Sequence, residues 1–265
     1  MSKRPGKPFR PRGGGGGRPK IDWAERRREA AEANASPQIF GIHAVEAALQ
    51  NEARKIRQVF LTENAENRLR ELLQRRGLTA ERVTPRDLDH RLGPDTVHQG
   101  ALIVADDLPE PSLKELARAA AEKPVVVLDQ VTDPHNVGAI LRSAAVFGAA
   151  GLLMTRRHSP PLGGVVAKAA SGALEIVPVV RVQNLARTLD ELKGVGFTVI
   201  GLDGEATDPL ETMDWPAPVA LVMGAEGKGL RDLTKQTCDR LARVTTDGDF
   251  NSLNVSNAAA IALHC

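Results

Sequence analysis

Short apolar runs alternate with amphipathic segments through the second half of the chain. The run Pro124–Leu128 is continuous and rich in β-branched residues, which is typical of a strand buried on both faces. Comparable runs predict further strands at Leu152–Met154, Glu175–Val180, Phe197–Leu202, Val219–Met223 and Leu241–Val244. Between them, apolar residues at helical spacing predict helices at Val137–Phe147, Val165–Ala170, Asn184–Lys193 and Leu230–Cys238. This alternation predicts an α/β domain over residues 124–265, with a parallel sheet flanked by helices.

The same alternation occurs on a smaller scale over residues 38–107, which predicts a small α/β domain. Residues 108–123 contain Pro109 and Pro111 and are predicted to form a linker, with a short helix at Leu113–Ala121. The predicted elements of the small domain are a helix at Gly41–Gln50, a strand at Ile56–Leu61, a helix at Asn67–Arg76, a strand and helix within Arg82–Leu92, and a strand at Gly100–Ala105.

Residues 1–37 differ from the rest of the chain in charge. They carry ten Lys and Arg against four acids, a net charge of +6, whereas the whole chain carries +2 and the remaining residues therefore −4. The segment also contains the glycine run 13–17, and such a composition cannot bury enough apolar surface to fold alone. It predicts a disordered basic tail, which either keeps the protein in solution or attracts RNA phosphates.

Composition excludes several classes of protein. Aromatic residues make up 3% of the chain and Tyr is absent, so stacking surfaces for single-stranded bases are few. The two cysteines, Cys238 and Cys265, fit neither a metal site nor a disulfide framework, which predicts a reducing, cytoplasmic location and no metal. No apolar run reaches the roughly 18 residues of a membrane helix, so no membrane association is expected.

A glycine-rich turn follows the predicted strand Val219–Met223. It contains Gly224, Gly227 and Gly229, with Glu226 as its only acid. Glycine permits a positive φ and a close approach of the backbone to a ligand. Open α/β sheets bind ligands beyond the carboxyl ends of their strands. Taken alone, the turn indicates either a ligand site or a tight connection.

Two further polar blocks make the interpretation specific. The first is Asn136-x-Gly138-x-x-x-Arg142, and the second is Ser252-Leu253-Asn254-Val255-Ser256. With the glycine turn between them, they resemble the SpoU (TrmH-like) branch of the SPOUT RNA methyltransferases, over the region from Pro124 to the C-terminus. A dinucleotide-dependent oxidoreductase on a Rossmann sheet is disfavoured, because no GxGxxG follows the first predicted strand of this region.

The resemblance implies an architecture that periodicity does not indicate. In SPOUT proteins the C-terminal segment is threaded through a loop to form a deep trefoil knot. This arrangement is expected to place Gly224–Gly229, Leu241–Thr246 and Ser252–Asn254 side by side, around a pocket for S-adenosylmethionine. A homodimer is also implied, with a closing helix that is short here because the chain ends soon after Ser256. Residues 40–45 and 98–100 resemble the L30e-like RNA substrate-binding domain of several SpoU enzymes.

The resemblance also implies roles for polar residues. Arg142 is expected to clamp a substrate phosphate and to assist deprotonation of the ribose 2′-hydroxyl, although a guanidinium is implausible as a free base. Asn136 is expected to hold Arg142 or the ribose, near the same helix edge as Arg142, and to cap its helix. Glu226 is expected to fix Arg142 or the glycine turn. Ser252 and Asn254 are expected to bond the ribose or a phosphate, or to cap the last helix.

The cofactor is expected to be held mainly by backbone groups and by an apolar wall. Lys228 and Arg231 flank the expected site and are candidates for contact with RNA. The positions expected to bind S-adenosylmethionine are Met223, Gly224, Gly229, Val244 and Leu253.

These expectations converge on an S-adenosylmethionine-dependent RNA ribose 2′-O-methyltransferase. The predicted substrate is a guanosine of 23S rRNA, because the L30e-like resemblance favours rRNA over the nearest alternative, a tRNA guanosine. A second alternative is a ribosome-assembly factor that binds RNA without methyl transfer. The enzyme is favoured because the chain has the whole polar set Asn136, Arg142, Glu226, Ser252 and Asn254.

Overall fold

The structure is a computed structural model that describes residues 37–214, 217–247 and 253–265. The predicted basic tail lies outside the described residues, except for Pro37. Within the described ranges the chain forms a four-stranded and a seven-stranded sheet, with helices packed against both.

The smaller sheet is formed by the N-terminal part of the described chain. Its strands are β1 (Gln38–Phe40), β2 (Ile56–Leu61), β3 (Glu81–Arg82) and β4 (Ala101–Ala105). Its helices are α1 (Ile42–Gln50), α2 (Glu63–Arg76) and α3 (Pro85–Leu92). The strand order is β1-β4-β2-β3, and β4 runs antiparallel to both of its neighbours. Strand β4 is buried along its whole length, which explains its continuous apolar sequence.

The larger sheet has parallel pairing between all of its neighbouring strands, in the order β7-β6-β5-β10-β8-β11-β9. These strands are β5 (Val125–Asp129), β6 (Gly151–Thr155), β7 (Val179–Val182), β8 (Thr198–Leu202), β9 (Asp208–Pro209), β10 (Val219–Gly224) and β11 (Arg240–Arg243). The accompanying helices are α4 (Leu113–Ala119), α5 (Pro134–Val146), α6 (Gly164–Ala170), α7 (Leu185–Gly194), α8 (Asp232–Thr237) and α9 (Val255–His264), with short 3₁₀ turns at Ala173–Glu175 and Leu210–Thr212. The predicted parallel sheet with flanking helices is confirmed.

Both faces of the larger sheet are covered. In β5, Val126 and Leu128 pack in one cluster with residues of α5, α6 and α9, whereas Val125 and Val127 pack in another with residues of α4 and α7. Successive side chains of a strand point to opposite faces, so a strand covered on both sides needs apolar residues at every position. The β-branched run that predicted this strand follows from that demand.

Some predicted elements differ from the structure. The predicted strand Glu175–Val180 is wrong at its start, because Glu175 ends a 3₁₀ turn and β7 begins at Val179. The side chain of Glu175 is buried against Arg54, a distant partner that apolar spacing cannot indicate. Helix α2 begins at Glu63, four residues before the predicted start. Strands β1 and β9 were not predicted, since their two or three residues carry no periodic pattern.

The fold brings the three sequence blocks together at the carboxyl ends of the central strands of the larger sheet. Strands β5 and β10 are neighbours, and their last paired residues are Asp129 and Gly224. Helix α5 follows β5, and α9 packs on α5. The connection from β11 to α9 includes residues 248–252, which lie outside the described residues. The trefoil knot therefore stays a prediction.

Candidate active site

The glycine turn after β10 folds back on its own start. The Gly229 N–H donates a hydrogen bond to the Ala225 carbonyl at 2.8 Å. A Cβ atom on Gly224 would lie 2.1 Å from the carbonyl carbon of Gly229, so no larger residue fits there. Gly227 and Gly229 have φ angles of 73° and 64°, in the left-handed region that favours glycine. The spacing of the glycines follows from the geometry of the turn.

Asp129, at the end of β5, binds Arg231, which follows the glycine turn. Its side chain is completely buried, and Oδ1 accepts a hydrogen bond from Arg231 Nε at 2.7 Å. Its Oδ2 accepts one from the Arg231 backbone N–H at 3.1 Å. Arg231 therefore has a partner within the protein, and the RNA contact considered from the sequence stays a prediction. Asp129 was missed, and its signal was a single acid that ends an apolar strand.

Three side chains from the three sequence blocks meet beside the turn. Asn254 Nδ2 donates hydrogen bonds to Asn136 Oδ1, at 3.0 Å, and to Glu226 Oε1. Asn254 Oδ1 accepts from the Ser256 backbone N–H at 2.8 Å. Because a backbone N–H only donates, this contact orients the amide so that Nδ2 faces Asn136 and Glu226. We call Asn136, Glu226 and Asn254 the polar cluster.

Asn136 does not cap α5 as predicted. The N-cap is Asp133, whose side chain accepts a hydrogen bond from the His135 N–H at 2.9 Å, and Pro134 occupies the first helical position. Asn136 instead lies within the first turn, buried, where its amide reaches Asn254. Asn254 is itself the N-cap of α9, so it combines a capping bond with its contacts in the polar cluster.

A cavity of about 260 Å³ opens beside the polar cluster, at the carboxyl ends of β10 and β11. Val255 and Ala258 of α9 also line it, as does the segment Leu202–Gly204 after β8. Its wall includes every position expected from the sequence to bind the cofactor, namely Met223, Gly224, Gly229, Val244 and Leu253. We call this space the motif cavity. A larger cavity of about 350 Å³ lies elsewhere, beside Arg54 and Glu175, and no predicted site residue lines it.

Arg142 lies on α5 but outside the polar cluster. A separation of six residues places Asn136 and Arg142 about 120° apart around the helix axis, so the prediction that they share one edge is wrong. Arg142 is exposed, and it has no hydrogen bond or ion pair with any described residue. Glu226 accordingly contacts Asn254 and not Arg142. Ser252 lies outside the described residues, so its expected role is not addressed by the structure.

Two further charged residues line the motif cavity. Burial works to raise the pKa of Asp203, but hydrogen bonds from Lys235 Nζ, at 2.5 Å, and from the Glu205 N–H outweigh it and lower that pKa. Asp203 is thereby held as a carboxylate paired with Lys235. The other residue is Arg243 of β11, whose Nε is buried and has no hydrogen-bond partner in the part of the chain that the structure describes. The sequence did not single out either residue.

Within the described part of the chain, no group of three or more His, Cys, Asp or Glu side chains could hold a metal ion. None of the described helices has the length and apolar character needed to cross a membrane.

Family models match nearly the whole of the described chain. The SpoU rRNA Methylase family model matches residues 123–264, and the model for RNA 2′-O ribose methyltransferase substrate binding matches residues 38–111. The chain belongs to the SpoU rRNA methylase family. The predicted family, the α/β fold class with a parallel sheet and flanking helices, and the enzyme class, an RNA ribose 2′-O-methyltransferase, are confirmed. The knot and the L30e-like character of the N-terminal part stay predictions. The finer domain limits at 38–107, 108–123 and 124–265 stay predictions.

Individual relatives of this SpoU family member support the same grouping. The 23S rRNA (guanosine-2′-O-)-methyltransferase RlmB of Pseudomonas putida is 42% identical over 236 residues, which cover 85% of this chain and 93% of the relative. The protein of the same name from Vibrio parahaemolyticus is 38% identical over 232 residues, 85% of this chain and 94% of its own. The SpoU methyltransferase AviRb of Streptomyces viridochromogenes, solved with AdoMet, shares the fold, with a TM-score of 0.73 at 24% identity over 92% of this chain and 91% of its own.

Proposed function

We propose that this SpoU family member transfers a methyl group from S-adenosylmethionine to the ribose 2′-hydroxyl of a guanosine in 23S rRNA. The observation that carries the proposal is the meeting of Asn136, Glu226 and Asn254 beside the motif cavity. Each of these residues comes from a different sequence block, and the fold brings their side chains into hydrogen-bond contact. The RlmB relatives, which by name act on guanosine of 23S rRNA, support the substrate.

The motif cavity fits the methyl donor. It lies at the carboxyl ends of parallel strands, where open α/β sheets bind ligands. The glycine turn and the end of β11 present main-chain groups at Gly224, Gly229 and Val244, which suit the polar edges of an adenosine. Met223 and Leu253 supply an apolar surface for its rings. When bound there, S-adenosylmethionine supplies a methyl group already activated by its sulfonium.

The polar cluster lies on the side of the cavity where the acceptor ribose would bind. Asn136 Oδ1 is occupied by Asn254, but Asn136 Nδ2 has no acceptor among the described residues and is available to a hydroxyl oxygen. Asn254, which is itself bonded to Glu226, fixes the orientation of this amide. Holding the 2′-hydroxyl in line with the methyl group contributes to the rate by orientation.

Two more residues complete the proposed acceptor site. Arg142 is exposed and has no described partner, so its guanidinium is available to clamp an RNA phosphate and to help polarise the 2′-hydroxyl. Ser252, which lies outside the described residues, is proposed to bond the ribose or a phosphate.

The proposed enzyme is a cytoplasmic homodimer that binds RNA through its N-terminal α/β part. Support for the dimer comes from an apolar surface at the end of α5, where the side chains of Val146 and Phe147 are exposed. Phe147 contacts the ring of His264 in α9 at 5.7 Å between centroids, so the two C-terminal helix ends form one surface. Apolar surfaces of this kind mark contact sites between proteins.

Methyl transfer tests the proposal directly. The purified protein is incubated with methyl-labelled S-adenosylmethionine and either 23S rRNA or total tRNA, both free of the modification, and the RNA is digested to nucleosides. We expect label in 2′-O-methylguanosine from 23S rRNA. Arg142→Ala is expected to reduce transfer at least about 100-fold, since it removes charge-assisted contacts to the substrate phosphate. Arg118→Ala, an exposed arginine of α4, is the matched control and should leave transfer unchanged.

The possible outcomes separate the alternatives. Label in tRNA alone would assign the tRNA substrate to the same chemistry. Donor binding and RNA binding without label in either RNA would favour the assembly factor. Full activity of Arg142→Ala would remove the phosphate clamp from the mechanism.

A further inference from the structure

Arg243 is the one charged side chain on the wall of the motif cavity, among the described residues, for which the structure leaves a buried donor unused. It lies at the end of β11, directly before Val244. Its Nε is buried and has no hydrogen-bond acceptor within residues 37–214, 217–247 and 253–265. A buried donor without an acceptor costs free energy, so such a group calls for a ligand or another explanation.

The neighbouring carboxylates are engaged elsewhere. Glu211 lies close enough to Arg243 for their charges to interact, but its Oε1 accepts from the Thr245 backbone N–H at 2.9 Å and its Oε2 from the Thr245 hydroxyl at 2.8 Å. On the cavity wall, Asp203 is paired with Lys235 at 2.5 Å, and Glu226 is bonded to Asn254. None of these acids accepts a hydrogen bond from Arg243 Nε. Among the described residues, the wall thus presents a guanidinium whose Nε has no hydrogen-bond acceptor, although the Glu211 charge lies nearby.

We propose that Arg243 binds the carboxylate of the methionine part of S-adenosylmethionine, which makes Arg243 a further donor-binding residue. This assignment rests on the proposed function of the motif cavity. The donor carries one anionic group, its carboxylate, together with a cationic ammonium and a cationic sulfonium. Only the carboxylate attracts a guanidinium, and this pairing gives short charge-assisted hydrogen bonds. Arg243 belongs to none of the three sequence blocks, so it adds a contact that those blocks do not contain.

Binding measurements that need no methyl transfer test the assignment. Calorimetric titration of the full-length protein compares S-adenosylhomocysteine with its decarboxylated analogue, which lacks only the carboxylate. For the unaltered protein we expect the analogue to bind about 10-fold to 100-fold more weakly, as the loss of a hydrogen bond between charged groups implies. The Arg243→Gln variant should bind S-adenosylhomocysteine more weakly by the same factor. Its affinity for the analogue should change by less than about twofold. Arg243→Lys keeps the charge, so its affinity for S-adenosylhomocysteine should lie between those of the unaltered protein and Arg243→Gln.

Arg240→Gln is the matched control, since Arg240 lies on the same strand, is exposed and pairs with Asp208 at 3.2 Å outside the cavity. It should leave the affinity for both ligands unchanged. Equal weakening of both ligands by Arg243→Gln, or weakening of neither, would overturn the assignment, as would a loss of 23S rRNA affinity with donor affinity intact. If Arg243→Gln fails to fold, equal affinity of the unaltered protein for the two ligands still overturns it. Failure of the unaltered protein to bind either ligand would instead count against the proposed function.

Discussion

At the scale of single residues, Asn254 connects the parts of the site. Its Oδ1 accepts a hydrogen bond from the Ser256 N–H and so caps α9, and its Nδ2 donates to Asn136 and Glu226. The capping bond fixes Oδ1 toward α9 and therefore Nδ2 toward the other two residues. The start of the last helix thus also sets the direction of the hydrogen bonds within the polar cluster. A residue that only caps the helix would not replace it.

Asn254→Asp tests this double role. Aspartate keeps the acceptor for the Ser256 N–H but places a carboxylate against Glu226 and cannot donate to Asn136 when ionised. We expect methyl transfer to fall about 100-fold near neutral pH, from the lost hydrogen bonds and the repulsion. Two carboxylates that share a site raise the pKa of one of them, and its protonated form regains a donor. The relative activity of the variant should therefore recover as the pH falls from about 8 to about 5.5.

The readout is the single-turnover rate of the variant divided by that of the unaltered protein at each pH. Ser256→Ala is the control, since it removes only the hydroxyl that bonds Asn254 Oδ1 at 2.5 Å. It should lower the rate much less and give a flat ratio. A flat ratio for Asn254→Asp would contradict the assigned direction of the amide.

At the scale of elements, the contact between α5 and α6 positions the first sequence block. A Cβ atom on Gly138 would lie 2.4 Å from the Cβ of Ala169 and 2.9 Å from both the Ala170 nitrogen and the Val166 carbonyl oxygen. Two of these neighbours are backbone atoms and cannot rotate away. The helices can therefore approach this closely only with glycine at position 138.

Gly138→Ala should destabilise the protein by about 1–3 kcal/mol, because the two helices must separate to accept one methyl group. The measurement is chemical denaturation followed by circular dichroism. Gly194→Ala is a matched control, since a Cβ atom there meets nothing within 4 Å and its φ is not in the left-handed region. It should leave stability unchanged or raise it by up to about 1 kcal/mol. Equal stability of the two variants would contradict the close packing.

Elements with a local signal were predictable from the sequence. Strands β5 and β10 are buried on both faces, so their apolar runs locate them to within one residue. Strand β1 has three residues and exists through its pairing with β4, a partner that no local pattern indicates. The predicted strand from Glu175 failed for a similar reason, since its side chain is fixed by Arg54, 121 residues away.

In the candidate site, too, the residues with a local sequence signal were predictable and those without one were not. The glycine turn was readable because its φ angles and close contacts demand glycine at fixed positions. The hydrogen bond between Asn136 and Asn254, 118 residues apart, was not predicted, because no spacing indicates it and the family resemblance indicated only that both residues belong to the site. Asp129 and Arg243 belong to no sequence block. Their roles follow from their burial, which the sequence alone does not predict.

At the scale of the whole molecule, one buried ion pair joins the parts that carry the two sheets. Arg54, between α1 and β2, donates from Nη2 to Glu175 Oε1 at 2.7 Å and from Nη1 to the Asp106 carbonyl at 2.8 Å. The side chains of Arg54 and Glu175 are 2% and 5% exposed. Asn51 Nδ2 adds a hydrogen bond to Glu175 Oε2 at 2.8 Å. Each oxygen of the carboxylate is thus used, and the smaller sheet is held against the segment that leads into β7.

Glu175→Ala should therefore destabilise the protein by about 3–5 kcal/mol, because it leaves the Arg54 guanidinium buried and unpaired. Glu46→Ala, which breaks the half-exposed pair with Arg68, should cost less than about 1 kcal/mol. The double variant Arg54→Met with Glu175→Leu should be more stable than Glu175→Ala alone, since apolar side chains of similar size carry no desolvation penalty. Urea denaturation measures all three variants. A cost for Glu175→Ala no larger than that for Glu46→Ala would mean that apolar packing, and not this ion pair, holds the two sheets together.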